Sequence, residues 1–215
     1  MTKIKICGIT DLQDAEAAIA LGADALGFNF YKRSPRYIEP AKAKSIVGAL
    51  PPIVSLIGVF VDEFSPDRIM RMTHAMGMGT VQLHGSETAE YVKQLNELRV
   101  IKAFRVDPTF NPNQLSRFAV NAFLLDTYDE DLKGGTGRTF NWELAIEAKK
   151  HGRIILAGGL RPENIYEAIR TVEPYAVDVC TGVESEPGKK DLQKLDALFT
   201  EIRRAQSDMS KDSSR

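Results

Sequence analysis

Lys3-Ile4-Lys5-Ile6-Cys7-Gly8 is the first apolar run of the chain, and it reads as a short strand ending in a thiol and a turn glycine. Thr10-Asp11 follows at once, then apolar residues at helical spacing to Leu21. The same strand-then-helix unit repeats along the chain. Further strands are expected at Ala25–Phe30, Ile53–Phe60, Thr80–His84, Val100–Arg105, Ala122–Asp126, Arg153–Ala157 and Ala176–Cys180. Helical patterns are expected at Asp11–Leu21, Pro40–Leu50, Ser65–Met76, Ser86–Leu98, Asn111–Phe118, Trp142–Lys150, Pro162–Val172 and Asp191–Gln206. Start signals stand at Thr10-Asp11, Ser65-Pro66-Asp67 and Ser86-Glu87. Strand–helix alternation of this kind implies parallel strands with crossover helices, in an α/β fold. An open doubly wound sheet and a closed barrel both satisfy it. Eight repeats favour a single (β/α)8 barrel over residues 1–206, followed by a polar tail at 207–215 that lacks apolar anchors and is expected to fray.

Side chains two apart on a strand share a face, so parity assigns inside and outside. Ile4 and Ile6, Phe123 and Leu125, and Val177 and Val179 form the large apolar set that should face the helices. Lys3, Lys5 and Cys7, then Ala122, Leu124 and Asp126, then Ala176, Asp178 and Cys180 fall on the inner face. On closure the first and eighth strands are neighbours, which predicts a Lys5–Asp178 ion pair inside the barrel, since two buried charges need each other.

The composition is that of an ordinary soluble chain: 215 residues, 43% hydrophobic, 27% charged, with a net charge of −1. That balance gives no electrostatic case for nucleic acid or an anionic membrane. Two cysteines, Cys7 and Cys180, are too few for a disulfide framework. No apolar run approaches the roughly 20 residues of a membrane span, and the N-terminus does not read as a signal peptide. A reduced, cytoplasmic protein without nucleic-acid or membrane partners is expected.

Parity aims Cys7 and Asp126 at the barrel mouth from opposite parts of the ring, which is an acid/base arrangement. The bland readings are a small buried thiol at Cys7 and a turn former at Asp126. Ala157-Gly158-Gly159-Leu160 and Thr181-Gly182-Val183-Glu184 follow the seventh and eighth strands, where barrels of this kind hold phosphate on exposed backbone N–H groups. Gly158, Gly159, Thr181 and Gly182 are therefore candidate phosphate residues, against the plainer reading of two tight turns. Arg36, in Ser34-Pro35-Arg36 after the second strand, has the fork to clamp a carboxylate. Gln82 and His84 share the inner face of the fourth strand and are expected to line the substrate wall. Gly134-Gly135-Thr136-Gly137 reads as a flap or a plain surface loop; it lacks the Lys-Ser/Thr of a nucleotide-binding loop. His74 and His151 lie in helical segments, and no histidine pair has metal-ligand spacing, so no metal is expected.

Lys5-Ile6-Cys7-Gly8-Ile9-Thr10, Gly27-Phe28-Asn29-Phe30 with Ser34-Pro35-Arg36, Val81-Gln82-Leu83-His84-Gly85, Leu124-Leu125-Asp126, Gly134 to Gly137, Leu156 to Leu160 and Asp178 to Glu184 stand in this order along the chain. Together they resemble the phosphoribosylanthranilate isomerase family from residue 3 to about 200. The resemblance implies a (β/α)8 barrel of tryptophan biosynthesis that performs a cofactor-free Amadori rearrangement on a phosphorylated small molecule, as a monomer or a homodimer. It implies Asp126 as general acid at the furanose oxygen, Cys7 as general base at C2′, Arg36 at the anthranilate carboxylate, and the turns at 158–159 and 181–182 at the phosphate. Asp126 must then carry a proton when it acts, and Cys7 must be a thiolate, which a cation such as Lys5 would favour. Where the family often shows Ser-Ser before Gly-Val-Glu, this chain has Cys180-Thr181. Two other readings remain: a histidine-pathway aminoaldose isomerase of the same fold, and a non-catalytic phosphate-binding barrel. The first should show an Asp in place of Cys7 and two phosphate sites.

Overall fold

A computed structural model describes residues 1–127 and 142–212. The expected flap at Gly134–Gly137 lies outside the described residues. Eight parallel strands close in sequence order: β1 (Lys3–Cys7), β2 (Ala25–Asn29), β3 (Ser55–Phe60), β4 (Thr80–Leu83), β5 (Arg99–Val106), β6 (Ala122–Thr127), β7 (Ile154–Ala157) and β8 (Ala176–Val179). Around them run α1 (Leu12–Leu21), α2 (Pro40–Ala49), α3 (Pro66–Ala75), α4 (Ala89–Lys93), α5 (Trp142–Ala148), α6 (Pro162–Val172) and α7 (Leu192–Asp212). A small antiparallel hairpin, β9 (Glu184–Glu186) and β10 (Lys189–Lys190), follows β8.

The helix starts follow their sequence signals. Asp11 caps α1 by accepting from Asp14 N at 2.8 Å, and Ser65 caps α3 ahead of Pro66. The Ser86 start is displaced: Thr88 caps α4 instead, and the helix is only five residues long. Its physical cause is Glu87, whose carboxylate is pinned in the loop by Asp62 N, Gly85 N and Lys102 Nζ. The expected Asn111–Phe118 helix is a single 3-10 segment, Pro112–Arg117, because Asn111 caps it and only a few residues separate it from β6. The expected fraying tail is corrected as far as Asp212. α7 continues to that residue because Met209 packs on the core, Asp208 accepts from Tyr166 Oη at 3.1 Å, and Arg170 pairs with Asp212 at 2.7 Å.

Two apolar layers result, as parity requires. Ile4, Ile6, Leu125, Val177 and Val179 join the layer between barrel and helices. Ala25, Ile57, Ile101, Ala103, Ala122, Leu124, Ile155, Ala157 and Ala176 fill the barrel interior. β1 and β8 align Lys5 with Asp178, and the expected ion pair is present at 2.8 Å, with side chains 3% and 7% exposed.

Candidate active site

The site gathers at the carboxyl ends of the strands. β1 delivers Cys7 to the mouth of the barrel, where it is 8% exposed. Gly27 on β2 stands opposite; a Cβ there would lie 2.7 Å from Cys7 Sγ and 3.1 Å from Lys5 Nζ, so only glycine leaves room for the thiol and the ammonium beside it. Cys180 follows Val179, which pairs with Ile6 of β1, so the second thiol stands beside Cys7. Cys180, with Lys5 and Lys190, holds the Cys7 thiol well below the ordinary cysteine range, although burial works the other way. Cys180 is pushed upward by Cys7 and by burial. Beneath them, burial raises Asp178 to about 6. Burial opposes the Lys5 ammonium, yet Asp178 and Cys7 hold it above its ordinary value. Two acids thus share one cation.

Asp126 arrives at the end of β6 and pairs with His84, Nε2 to Oδ2 at 3.0 Å. Gln82 meets the other ring nitrogen, Nε2 to Nδ1 at 2.8 Å. With the Gln82 amide donating, Nδ1 is the acceptor and Nε2–H faces the carboxylate. Gln82 is 1% exposed, so it acts through His84 rather than lining the wall itself. His84 and Asp126, about one-third open to solvent at their side chains, do face the mouth.

Arg36 points at the mouth from the loop after β2, and its fork is already held. Nε donates to Glu184 Oε1 at 2.9 Å and Nη2 to Oε2 at 2.7 Å. Glu184 also accepts from Lys190 Nζ at 3.0 Å and from Gly188 N at 3.3 Å. Burial opposes the Glu184 carboxylate, but Arg36 and Lys190 hold it below the ordinary range. The hairpin after β8 is therefore the scaffold of Arg36. Sequence reasoning missed Glu184 and Lys190 as site residues. The available signal was the buried carboxylate demand of an inward-pointing arginine.

The two glycine turns lie side by side. Gly158 and Gly159 both have positive φ, 80° and 61°, which places them in the left-handed region that favours glycine. A Cβ on Gly182 would collide with the Leu160 carbonyl, so the turn after β8 packs directly on the turn after β7. Thr181 is exposed beside it. Cys180 turns away from this pair: its Sγ lies 3.0 Å from where a Cβ on Gly8 would stand, and 3.8 Å from Glu184 Oε1. Among the described residues no group of three His, Cys, Asp or Glu side chains is placed to hold a metal.

This arrangement has close counterparts. The family model described as N-(5'-phosphoribosyl)anthranilate (PRA) isomerase matches residues 4–201. An N-(5'-phosphoribosyl)anthranilate isomerase of Trichlorobacter lovleyi is 50% identical over 196 residues, 91% of this chain and 95% of that protein. A phosphoribosyl anthranilate isomerase structure from Thermus thermophilus superposes with a TM-score of 0.85 at 38% identity, covering 94% of this chain and 99% of the other. A further phosphoribosyl anthranilate isomerase, solved with reduced 1-(o-carboxyphenylamino)-1-deoxyribulose 5-phosphate, superposes with a TM-score of 0.82 at 39% identity, over 95% and 100% of the two chains.

Proposed function

The chain belongs to the phosphoribosylanthranilate isomerase family, and on that premise we propose how its own residues carry out the reaction. The enzyme converts N-(5-phosphoribosyl)anthranilate to 1-(2-carboxyphenylamino)-1-deoxyribulose 5-phosphate in tryptophan biosynthesis. Asp126, protonated, gives its proton to the furanose ring oxygen. The C1′–O bond breaks and the nitrogen lone pair forms a Schiff base. The Cys7 thiolate then removes the C2′ proton, and the electrons move onto nitrogen to give an enolamine, which tautomerises to the ketone. The observation that carries this assignment is the Cys7 environment: a glycine opposite that leaves room for the thiol, a second thiol beside it and an ammonium beneath it that favours the thiolate.

His84 Nε2–H donates to the Asp126 carboxyl and orients it, and solvent at the open mouth returns the proton to Asp126 between turnovers. Arg36 takes the anthranilate carboxylate with the part of its fork that Glu184 leaves open. The joined turns at Gly158–Gly159 and Thr181–Gly182 take the phosphate on backbone N–H groups. No cofactor takes part. Among the described residues no helix is long and apolar enough to cross a membrane. We place the enzyme in the cytoplasm, as a monomer or a homodimer acting on a phosphorylated small molecule; one solved relative is a monomeric form of a dimeric enzyme from Thermotoga maritima.

Turnover of phosphoribosylanthranilate, followed by loss of its fluorescence, tests the reading. Cys7→Ala and Asp126→Asn are each expected to lower kcat by about 10²–10⁴-fold, the range of a lost acid or base. Near-wild-type turnover in either variant would overturn that residue's role, and no turnover by the wild-type chain would remove the enzyme reading.

A further inference from the structure

Cys7 and Cys180 are the only two cysteines of the chain, and the fold brings them together. β1 and β8 pair in parallel with Lys5 against Asp178 and Ile6 against Val179, so the next step along the two chains sets Cys7 against Cys180. Paired strands stand about 4.7–4.9 Å apart, inside the roughly 4.4–6.8 Å Cα separation that a disulfide spans. Parity puts both side chains on the inner face, and Cys180 Sγ lies 3.0 Å from where a Cβ on Gly8, the residue after Cys7, would stand. The rearrangement itself uses one of these sulfurs. The second has no role in it as a base, and a hydroxyl would serve as well or better as a donor.

We propose that Cys7 and Cys180 are a peroxide-sensitive dithiol, which hydrogen peroxide closes into an intramolecular disulfide that withdraws the catalytic base. The Cys7 thiolate attacks one peroxide oxygen; the O–O bond breaks, and hydroxide leaves and is protonated to water. Cys7 is then a sulfenic acid. Cys180 Sγ loses its proton and attacks Cys7 Sγ; the S–O bond breaks, and the departing hydroxide takes that proton to leave as a second water. Both sulfurs are oxidised by one electron each, and the peroxide is reduced to two waters. The S–H of Cys180 points to Glu184 Oε1 at 3.8 Å, an anionic acceptor placed to take up the proton in passing. A thiol reductant reverses the bond. Cys180 also protects Cys7, because a sulfenic acid with a resolving thiol alongside is captured before it is oxidised further.

The loss of activity rests on Cys7 being the base; the disulfide does not. The experiment therefore reads the two separately. The purified full-length chain is treated with hydrogen peroxide, quenched, unfolded, alkylated with iodoacetamide, and analysed by intact mass and peptide mapping. The expected result is loss of two hydrogens, loss of both alkylatable thiols, and a linked pair of peptides carrying Cys7 and Cys180, all reversed by dithiothreitol. In Cys180→Ser the same treatment should instead add oxygen atoms to Cys7, and the reductant should not restore it after prolonged exposure. Two alkylatable thiols after treatment, or oxygen atoms added to Cys7 in the wild-type chain with no link, would overturn the dithiol. Turnover assayed on folded aliquots taken before unfolding should fall and return in step with the link. A link that forms while turnover is unchanged would overturn Cys7 as base and leave the dithiol standing.

Discussion

Two of the buried lysine–carboxylate pairs in this molecule are built for different work. Lys5–Asp178 lies inside the barrel at 2.8 Å, and Lys102–Glu87 lies outside it at 2.9 Å, with side chains of similarly low exposure. The outer pair is saturated by backbone. Lys102 Nζ donates to the carbonyls of Gly85 and Ala103, and Glu87 accepts from Asp62 N and Gly85 N. It locks the loop that begins at His84. The inner pair touches no backbone polar group among the described residues, and Asp178 Oδ1 has no hydrogen-bond partner there. What stands beside it, under Gly27, is Cys7. The lesson is that the contacts around an ion pair, rather than its own geometry, say what it does: one pair holds a loop, the other sets a thiol's charge.

That contrast can be broken by experiment. The largest effect is expected from Glu87→Leu, which strands the Lys102 ammonium. A buried charge without its partner costs about 3–5 kcal/mol, or a fall in Tm of roughly 6–20 °C for a chain of this size. Exchanging both members sharpens the difference. Lys5→Met with Asp178→Leu should be near neutral in Tm, since an apolar pair of similar volume replaces a pair without backbone duties. Lys102→Met with Glu87→Leu should remain destabilised by about 1–3 kcal/mol for each orphaned amide of Asp62 and Gly85. Equal Tm values for the two double variants would erase the distinction.

Glu184→Gln should act on binding rather than chemistry. It loosens the fork of Arg36, so KM for the anthranilate substrate should rise by about tenfold, the worth of one charge-assisted hydrogen bond, with a smaller change in kcat. A kcat loss without a KM change would place Glu184 elsewhere in the reaction. The smallest effect belongs to Ser65→Ala, at a residue that is a member of neither pair. It removes the cap of α3 and should cost about 0.5–2 kcal/mol in denaturant unfolding, with turnover as in the wild-type chain.

Much of this contrast was legible in the sequence on one side and hidden on the other. Parity alone placed Lys5, Cys7, Asp126 and Asp178 on the inner face, and the eightfold repeat supplied the closure that makes β1 and β8 neighbours. The Lys5–Asp178 pair followed from those two facts. Lys102 could not be found that way. It lies on the outward face of β5, where the period-two rule expects an apolar residue, and its partner sits in a loop whose path no periodicity describes. Glu184 and Lys190 escaped for a similar reason: the β9–β10 hairpin folds them back over Arg36, and a turn of that kind carries no helical or strand signal. Gln82 and His84 were placed on the right face, but the contact of His84 with Asp126 spans two strands that are not adjacent in the barrel. The end of α7 runs past its sequence pattern because a single methionine in a polar stretch, Met209, and two long-range polar contacts, Tyr166 to Asp208 and Arg170 to Asp212, anchor it.

The direct test of the account is the pH dependence of Cys7 alkylation. A thiol whose folded value is depressed keeps its thiolate as pH falls below the ordinary cysteine value, about 8.5, and loses it only at the lower folded value. Cys7 of the wild-type chain, followed by peptide mass against Cys180, should therefore react with iodoacetamide at a midpoint well below that of an ordinary cysteine. The acid limb of kcat/KM should fall at the same pH. In the Lys5→Met, Asp178→Leu double variant both midpoints should move upward together. A Cys7 midpoint at the ordinary value in the wild-type chain, or one that stays in place when Lys5 is removed, would contradict the claim that the inner ion pair sets the charge of the base.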